Sequence, residues 1–517
     1  MSLAPTPEAS RSATLPLRPW VFVLFAVIYL YAFPYFDALR SAAEMPRILT
    51  TQELVDHGRM SLDTRLGEMG SRNDLSSAPN GHKYANKPPG PSFLAVPAYW
   101  ICKHLHMTSL RACTWAFRVS AVIIPALLFL PLFYRFTRRF SAHEGARRTV
   151  LVAYALGSPA LVYGILFMSH QISAVLAGIA FMAAVTLVRQ EPQRPARYAA
   201  MAGFCAGLAL MMDYQSFIAS FFIAVYLLVK AARKLRTLVA AMVGALPPVL
   251  VLMLYHYRAY GSPWKTGYAF ADDPHPRKSF GGMVRLSASS FWNVSFLPSN
   301  GLFTLAPWTL LALLGFWAIW RKPEGRRLVG AEAMVCLAIM VTYFLFLSSM
   351  DAYMSRGGWC VGPRYMVTAL PFVAWLAAAG FSWLYRSTLG RVLGHALVVA
   401  SVVIFVVAAS TYPHWPDPML NPLYELSFRL LGEGYAVHSL GTFLGLHGPW
   451  AALPLYLFVA GFLLWMLGGQ GRQRAAGLLV ACVLAASIVV GYRFFPREAG
   501  YAQHAYGYIT AIWEPRK

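Results

Sequence analysis

Charge is scarce in this chain: Asp, Glu, Lys and Arg together make up 13% of its 517 residues, about half the share of an ordinary globular protein. A soluble chain of this length divides into several domains with well-charged surfaces, so that class is excluded. Acidic residues are scarcer still, 21 against 44 Lys+Arg. Cysteine is limited to six positions (Cys102, Cys113, Cys205, Cys336, Cys360, Cys482) with no CxxC pair, which excludes a disulfide framework and a zinc–thiolate cluster. Walker A, GxGxxG, HExxH and GxSxG patterns are missing from any suitable context. The chain therefore carries no sign of a nucleotide-binding domain, a nucleotide-sugar site or an ATP-driven pump.

What is abundant is apolar: 58% of residues are hydrophobic and the mean hydropathy is +0.50. Apolar runs of roughly 18–22 residues recur along the whole length, each able to cross a bilayer core of about 30 Å. The sequence reads as an all-α polytopic membrane protein. Its net charge of +23 would point to nucleic acid in a soluble protein. Here the basic residues crowd short loops at 135–148, 189–197, 230–236 and 321–327, the positive-inside pattern, and no nucleic-acid partner follows. The basic N-terminal stretch MSLAPTPEASRSATLPLRPW leads into an apolar run ending at Tyr31–Tyr35 (YAFPY). That end has no small-residue cleavage site, so an uncleaved first span is expected.

With the N-terminus inside, the charges are consistent with about thirteen spans, near 19–36, 115–134, 149–168, 170–189, 197–213, 214–230, 237–257, 301–320, 328–348, 365–385, 391–411, 450–468 and 474–493. Every basic loop then falls on the cytoplasmic side. The expectation is one integral membrane domain over 1–517, with a first outer loop at 37–114, a second at 258–300 and a short outer tail at 494–517. The segment SFLAVPAYWICKHLHMTSL (92–110) begins apolar but meets Lys103, His104 and His106. Counting it as a span would invert every later basic loop, so it reads as a juxtamembrane helix at the outer surface.

Candidate chemistry collects on that outer side, where long loops are usually functional. Asp37 directly follows the first span, and a carboxylate pinned by a helix end suits a general base or metal ligand; Glu44 follows one or two turns later. Asp63, Glu68 and Asp74 sit in a Gly/Ser/Asn-rich stretch and read as solvated charges. Lys87 precedes Pro88-Pro89-Gly90-Pro91. The prolines stiffen the backbone and push the residues before them towards extended geometry, so the ammonium is held at the headgroup level, where a lipid phosphate is the natural partner. Ser169–His170 and Asp213–Tyr214 mark tight turns between paired spans, and ionisable groups at such depths hint at function. The loop 258–300, with Asp272, Asp273 and His275, carries no catalytic motif. In DAYMSRGGWCVGPRYMVTALP (351–371), Arg356 and Arg364 stand beside Trp359 and other aromatic residues before a span. A guanidinium fork suits phosphate, and with Lys87 the two arginines are candidates to cradle a phosphate or diphosphate.

These residues resemble the GT-C superfamily of polyprenyl-phosphate-dependent glycosyltransferases, which includes the protein O-mannosyltransferases and the aminoarabinose transferases. The resemblance rests on the acidic Asp37 after the first span, the long first loop closing on Tyr84-Ala-Asn-Lys87-Pro88-Pro89-Gly90, the span count, and segments such as GGWCVGPRYMVTALP. It covers most of the chain. It implies inverting transfer of a sugar from a polyprenyl-phosphate carrier to a lipid, glycan or protein acceptor of the cell envelope, at the outer face of the inner membrane. Asp37, or Glu44 if the alignment slips, maps to the family's base, and Lys87 to its lysine near the donor phosphate. Tyr84, His170, Asp213, Tyr214 and Trp359 join as further cavity residues. Some members bind a divalent cation and others do not. Two departures stand out: Asp37 is followed by Ala38 rather than a second acid, and only a short tail follows the last span. The main alternative reading is a lipid or lipid-linked glycan transporter, which would place ionisable residues at the bilayer midplane; here few charges lie mid-span. A non-catalytic scaffold is a third.

Overall fold

In a computed structural model of the chain, residues 17–33, 41, 43–69, 74–273, 282–355, 357–417, 419–468, 472–497 and 499–513 are described. Among these, eight helices are long and apolar enough to cross a membrane: Leu110–Thr137, Ser169–Gln190, Lys234–Tyr260, Pro323–Ser348, Arg364–Leu384, Thr388–Ser410, Pro449–Gly468 and Gln473–Phe494. Three shorter apolar helices, Val21–Tyr31 (α1), Tyr214–Lys230 and Pro307–Trp320, fall where further spans are expected. Pro195–Met212, of 18 residues, fills the place expected near 197–213.

The expected continuous span at 149–168 is instead two pieces, Glu144–Ala155 and Pro159–Tyr163. Pro159 disfavours helical geometry at the residue before it. Ser158 accordingly takes extended angles (φ −151°, ψ 168°) and its side chain accepts from the Ala160 N–H, restarting the helix. A milder irregularity lies inside Leu110–Thr137, where residues Val119–Ile123 form one π turn. Pro125 has no N–H to donate and its ring crowds the carbonyl four residues back, so the local bonding widens.

The first long loop is packed rather than free. After α1 come α2 (Met45–His57), a hairpin of β1 (Leu75–Ser77) and β2 (Lys83–Ala85), and α3 (Gly90–His104). The strands pair antiparallel, with Leu75 opposite Ala85, Ser76 opposite Tyr84 and Ser77 opposite Lys83. Met45, Ile48 and Leu49 of α2, Leu75 of β1, Tyr99 of α3, Phe117 and Phe167 close a small core of their own, apart from the main bundle. The helix α3 covers most of 92–110 and leaves Trp100 and Ile101 exposed.

The second loop is stitched to this unit. The Asp272 N–H donates to the Leu75 carbonyl at 2.9 Å. Lys83 Nζ reaches Asp272 at 2.8 Å and Ser77 Oγ donates to the same carboxylate at 2.6 Å. Loops far apart in sequence are thereby tied into one unit.

Candidate functional site

The stretch Lys87-Pro88-Pro89-Gly90 leaves β2 and opens α3. Two consecutive prolines fix φ along the turn, and Gly90 starts the helix hard against the end of Pro195–Met212. A β-carbon there would lie 2.5 Å from the Met211 carbonyl oxygen and 2.6 Å from the Met212 side chain. The absence of a side chain thus lets this rigid turn dock on the bundle, and Lys87 is carried with it. Lys87 Nζ lies 3.3 Å from Asp74 Oδ1 and 4.9 Å from the centroid of the Tyr268 ring. Burial by itself would lower the Lys87 pKa, but the Asp74 charge overrides it and the ammonium is held above its ordinary value. Burial likewise opposes ionisation of Asp74, and Lys87, then Arg364 and Arg47, bring its pKa below the ordinary value.

Asp74 is therefore no solvated loop charge, as it reads in the sequence. Its side chain is 15% exposed and belongs to this cluster. Asp63 and Glu68 also have work, accepting from His82 and the Lys83 N–H and from Arg65 respectively, at the surface.

Arg364 arrives from the opposite side. Gly357, Gly358 and Gly362 all have left-handed backbone, φ +78°, +74° and +69°, which a residue with a β-carbon adopts at a cost. The coil they make is tied down by the Cys360 N–H donating to the Trp415 carbonyl at 2.9 Å, and it delivers Arg364 to the start of its span. The guanidinium donates from Nη2 to the Tyr365 hydroxyl at 3.2 Å and lies 5.0 Å from that ring.

Arg47, from the first turn of α2, is the third cation. It is 3% exposed, and Nη1 donates to the Ala43 carbonyl. Burial is the main influence on its pKa and lowers it, against the pull of Asp74 and Asp213. The Nε of Arg47 and the Nε of Arg364 are both buried with no hydrogen-bond partner among the described residues. Orphaned buried donors on two neighbouring guanidinium groups are costly unless an acceptor fills the space between them. The sequence reading missed Arg47; its only signal is the Glu44-Met-Pro-Arg47 spacing, which puts it one helical turn beyond a flagged acid.

The two turns between paired spans complete the wall. His170 opens Ser169–Gln190 and Asp213 closes Pro195–Met212, and His170 Nδ1 meets Asp213 Oδ2 at 2.6 Å with both side chains buried. Together Arg47, Lys87, His170, Asp213, Tyr268 and Arg364 line one small cleft. Its charge pattern suits a phosphate: three cations face two carboxylates, counting Asp74 behind Lys87, which leaves one positive charge in excess.

Other sequence candidates lie elsewhere. Glu44 is fully buried and closed in a bidentate pair, accepting from Arg118 Nε at 2.9 Å and Nη2 at 2.8 Å. Its Oε1 also accepts from the Phe167 N–H at 2.8 Å, and His414 Nε2 stands 3.6 Å from Oε2. Burial would raise its pKa, but the Arg118 charge and these bonds bring it down to about 2. Asp37 and Arg356 lie outside the described residues. Tyr84 packs edge-on against Tyr260 and accepts from Asn80. The Tyr214 hydroxyl is 2.8 Å from His256 Nε2, and the Trp359 ring lies 6.5 Å from that of Tyr508. None of these last three lines the cleft. Among the described residues no group of three His, Cys, Asp or Glu is placed to hold a metal ion.

No family model matches the chain, and no curated protein matches it. Solved structures do. ArnT from Cupriavidus metallidurans, crystallised with undecaprenyl phosphate, superposes with a TM-score of 0.54 over 91% of this chain and 75% of its own, at 16% identity. The archaeal oligosaccharyltransferase AglB from Archaeoglobus fulgidus, in complex with an inhibitory peptide and a dolichol-phosphate, covers 91% of this chain and 55% of its own at 13% identity, TM-score 0.43. ArnT is a GT-C superfamily member. The resemblance to that superfamily read from the residues therefore holds for the fold.

Proposed function

We propose that the chain is a membrane glycosyltransferase that moves a sugar from a polyprenyl-phosphate carrier to an envelope acceptor. The observation that carries the reading is the convergence of Lys87, Arg364 and Arg47, from three separate segments, on one cleft where two guanidinium Nε donors lack partners among the described residues. A phosphate oxygen set between them satisfies both and uses the excess positive charge. The ArnT fold likeness supports the same choice, since that protein is seen with undecaprenyl phosphate.

In this reading the carrier phosphate sits against Lys87, Arg47 and Arg364 and leaves as the acceptor hydroxyl attacks the anomeric carbon from the opposite side, inverting it. The leaving group gains negative charge and needs stabilisation by fixed cations rather than protonation of a poor leaving oxygen. The hydroxyl needs a base. Of the two acids after α1, Asp37 takes that role, because both Glu44 oxygens are already engaged by Arg118 and Phe167. The cleft opens on the extracytoplasmic side of the inner membrane, with the N-terminus inside, as the distribution of basic loops supports. The carrier tail lies among membrane lipids.

The test is transfer in a deletion strain carrying variants, followed by mass analysis of lipid-linked glycans and envelope polymers. Lys87→Ala and Arg364→Ala are each expected to lower transfer by about 10²–10³-fold, the range for removing one fixed charge-stabilising donor, with membrane abundance unchanged. Lys103→Ala, at an exposed surface pair with Asp56, is expected to leave transfer intact. Full transfer in both cleft variants would sink the reading.

A further inference from the structure

We propose that His170, braced by Asp213, takes up a proton when a phosphate monoester occupies the cleft, so that the site matches the charge of the released carrier phosphate as it matches that of the sugar-loaded donor. This rests on the phosphate reading above and adds a role that reading does not use.

Among the described buried histidines, His170 is the one that lines the cleft. His256 has both ring nitrogens engaged, Nε2 with Tyr214 and Nδ1 with the Pro263 carbonyl. His170 has one: Nδ1 donates to Asp213 Oδ2 at 2.6 Å, and no described residue hydrogen-bonds Nε2. Tyr163 and Tyr365 meet the imidazole edge-to-face from two directions, with centroids at 5.4 and 5.5 Å and interplanar angles of 88° and 85°. The ring is thus fixed in orientation on the cleft wall, with its carboxylate partner set to receive the charge of an imidazolium.

The charge inventory explains why a proton is wanted. The titratable groups facing His170 are Asp213 from the end of Pro195–Met212, Arg47 from α2, Arg364 and Tyr365 from the start of their span, Tyr163 from the short helix before it, and Lys87 with Tyr268 across the cleft. With His170 neutral, the described cluster has one positive charge in excess. A lipid-phosphate-sugar diester carries a single negative charge and is balanced. When the bond from the anomeric carbon to the phosphate oxygen breaks, the electron pair stays on that oxygen and the phosphate becomes a monoester of nearly two charges. The acceptor hydroxyl's proton goes to its base and from there to bulk water, and His170 takes one proton from water, so no net proton is gained or lost across the step and the cluster again matches its ligand.

The experiment uses the full chain in micelles with undecaprenyl phosphate as probe, titrated calorimetrically at about pH 7.5, above the second phosphate pKa of about 6. Running it in two buffers of different ionisation enthalpy counts the protons taken up per phosphate bound. The expected result is uptake of about one proton for the wild type, none for His170→Gln, and reduced uptake for Asp213→Asn. A dialkyl phosphodiester of fixed single charge should bind the wild type with no uptake. The inference is overturned if wild-type uptake is near zero, if it persists in His170→Gln (placing the proton on the phosphate), or if diester and monoester take up protons alike. The wild-type comparison of the two probes stands even where a variant fails to fold. If instead neither phosphate binds, or binding survives Lys87→Ala undiminished, the phosphate reading of the cleft itself falls.

Discussion

Replacing Glu44 by Gln separates a buried strut from a reacting group. In the wild type, Glu44 and Arg118 are both fully buried and joined by two hydrogen bonds of 2.9 and 2.8 Å. Holding a carboxyl at about 2 rather than its ordinary 4.5 corresponds to about 3 kcal/mol, at roughly 1.4 kcal/mol per tenfold change. Removing one partner of a buried pair typically costs about 3–5 kcal/mol, because the other charge is left unpaired in a low dielectric. The two routes agree. The Glu44→Gln variant is therefore expected to lose about 3–4 kcal/mol of stability in denaturant titrations in mixed micelles. The double variant Glu44→Gln/Arg118→Met should recover most of that loss, since both charges of the pair are then removed together. Its glutamine amide still offers an oxygen to the Phe167 N–H, a bond that Glu44 accepts at 2.8 Å in the wild type. Being folded, the double variant should also transfer sugar within about tenfold of wild type, as a support residue rather than a base allows. A loss under about 1 kcal/mol in the single variant, or no recovery in the double, would refute the argument for a closed structural pair. A stable but dead double variant would return Glu44 to the chemistry.

Two further outcomes follow. Because the folded pKa of Glu44 is depressed, its contribution is fully present above the unfolded value near 4.5 and is lost as pH falls towards about 2; stability measured down to pH 4.5 should show no step from this group, and Glu44→Gln should flatten the decline below it. Gly203 and Gly244 form a close seam between Pro195–Met212 and Lys234–Tyr260, where added β-carbons would lie 1.8 Å from the Ala241 oxygen and 2.0 Å from the Ala200 oxygen. Gly203→Leu should therefore prise these helices apart and abolish monodisperse protein in gel filtration, whereas Gly461→Leu, with nothing within 4 Å, should be tolerated. Equal behaviour of the two would contradict the seam.

The membrane class was legible because it depends on composition and run length, which are properties of the chain in one dimension. So was the stiffness at Lys87, since proline acts on its immediate neighbours. The break at Ser158–Pro159 was equally local, yet a hydropathy average over about twenty residues, the length of a span, ran straight through it. Asp74 was misread because its loop composition resembles solvated loops everywhere; only the fold brings it to Lys87, Arg47 and Arg364. Glu44 and Arg118 stand 74 positions apart, and nothing in either segment announces a partner.

What the sequence by itself determined is the helical membrane class, which turn is rigid, and that cations and acids of the right kinds are present near the ends of the apolar runs. Only the tertiary structure decided which of them face one another. Arg47, Lys87, His170, Asp213 and Arg364 come from five segments and share one cleft, while Glu44, equally acidic and equally near the first span, is closed off in a buried pair. The reason is physical: a charge's role is set by its burial and its partners within a few ångströms, and those are distances that the order of residues does not contain.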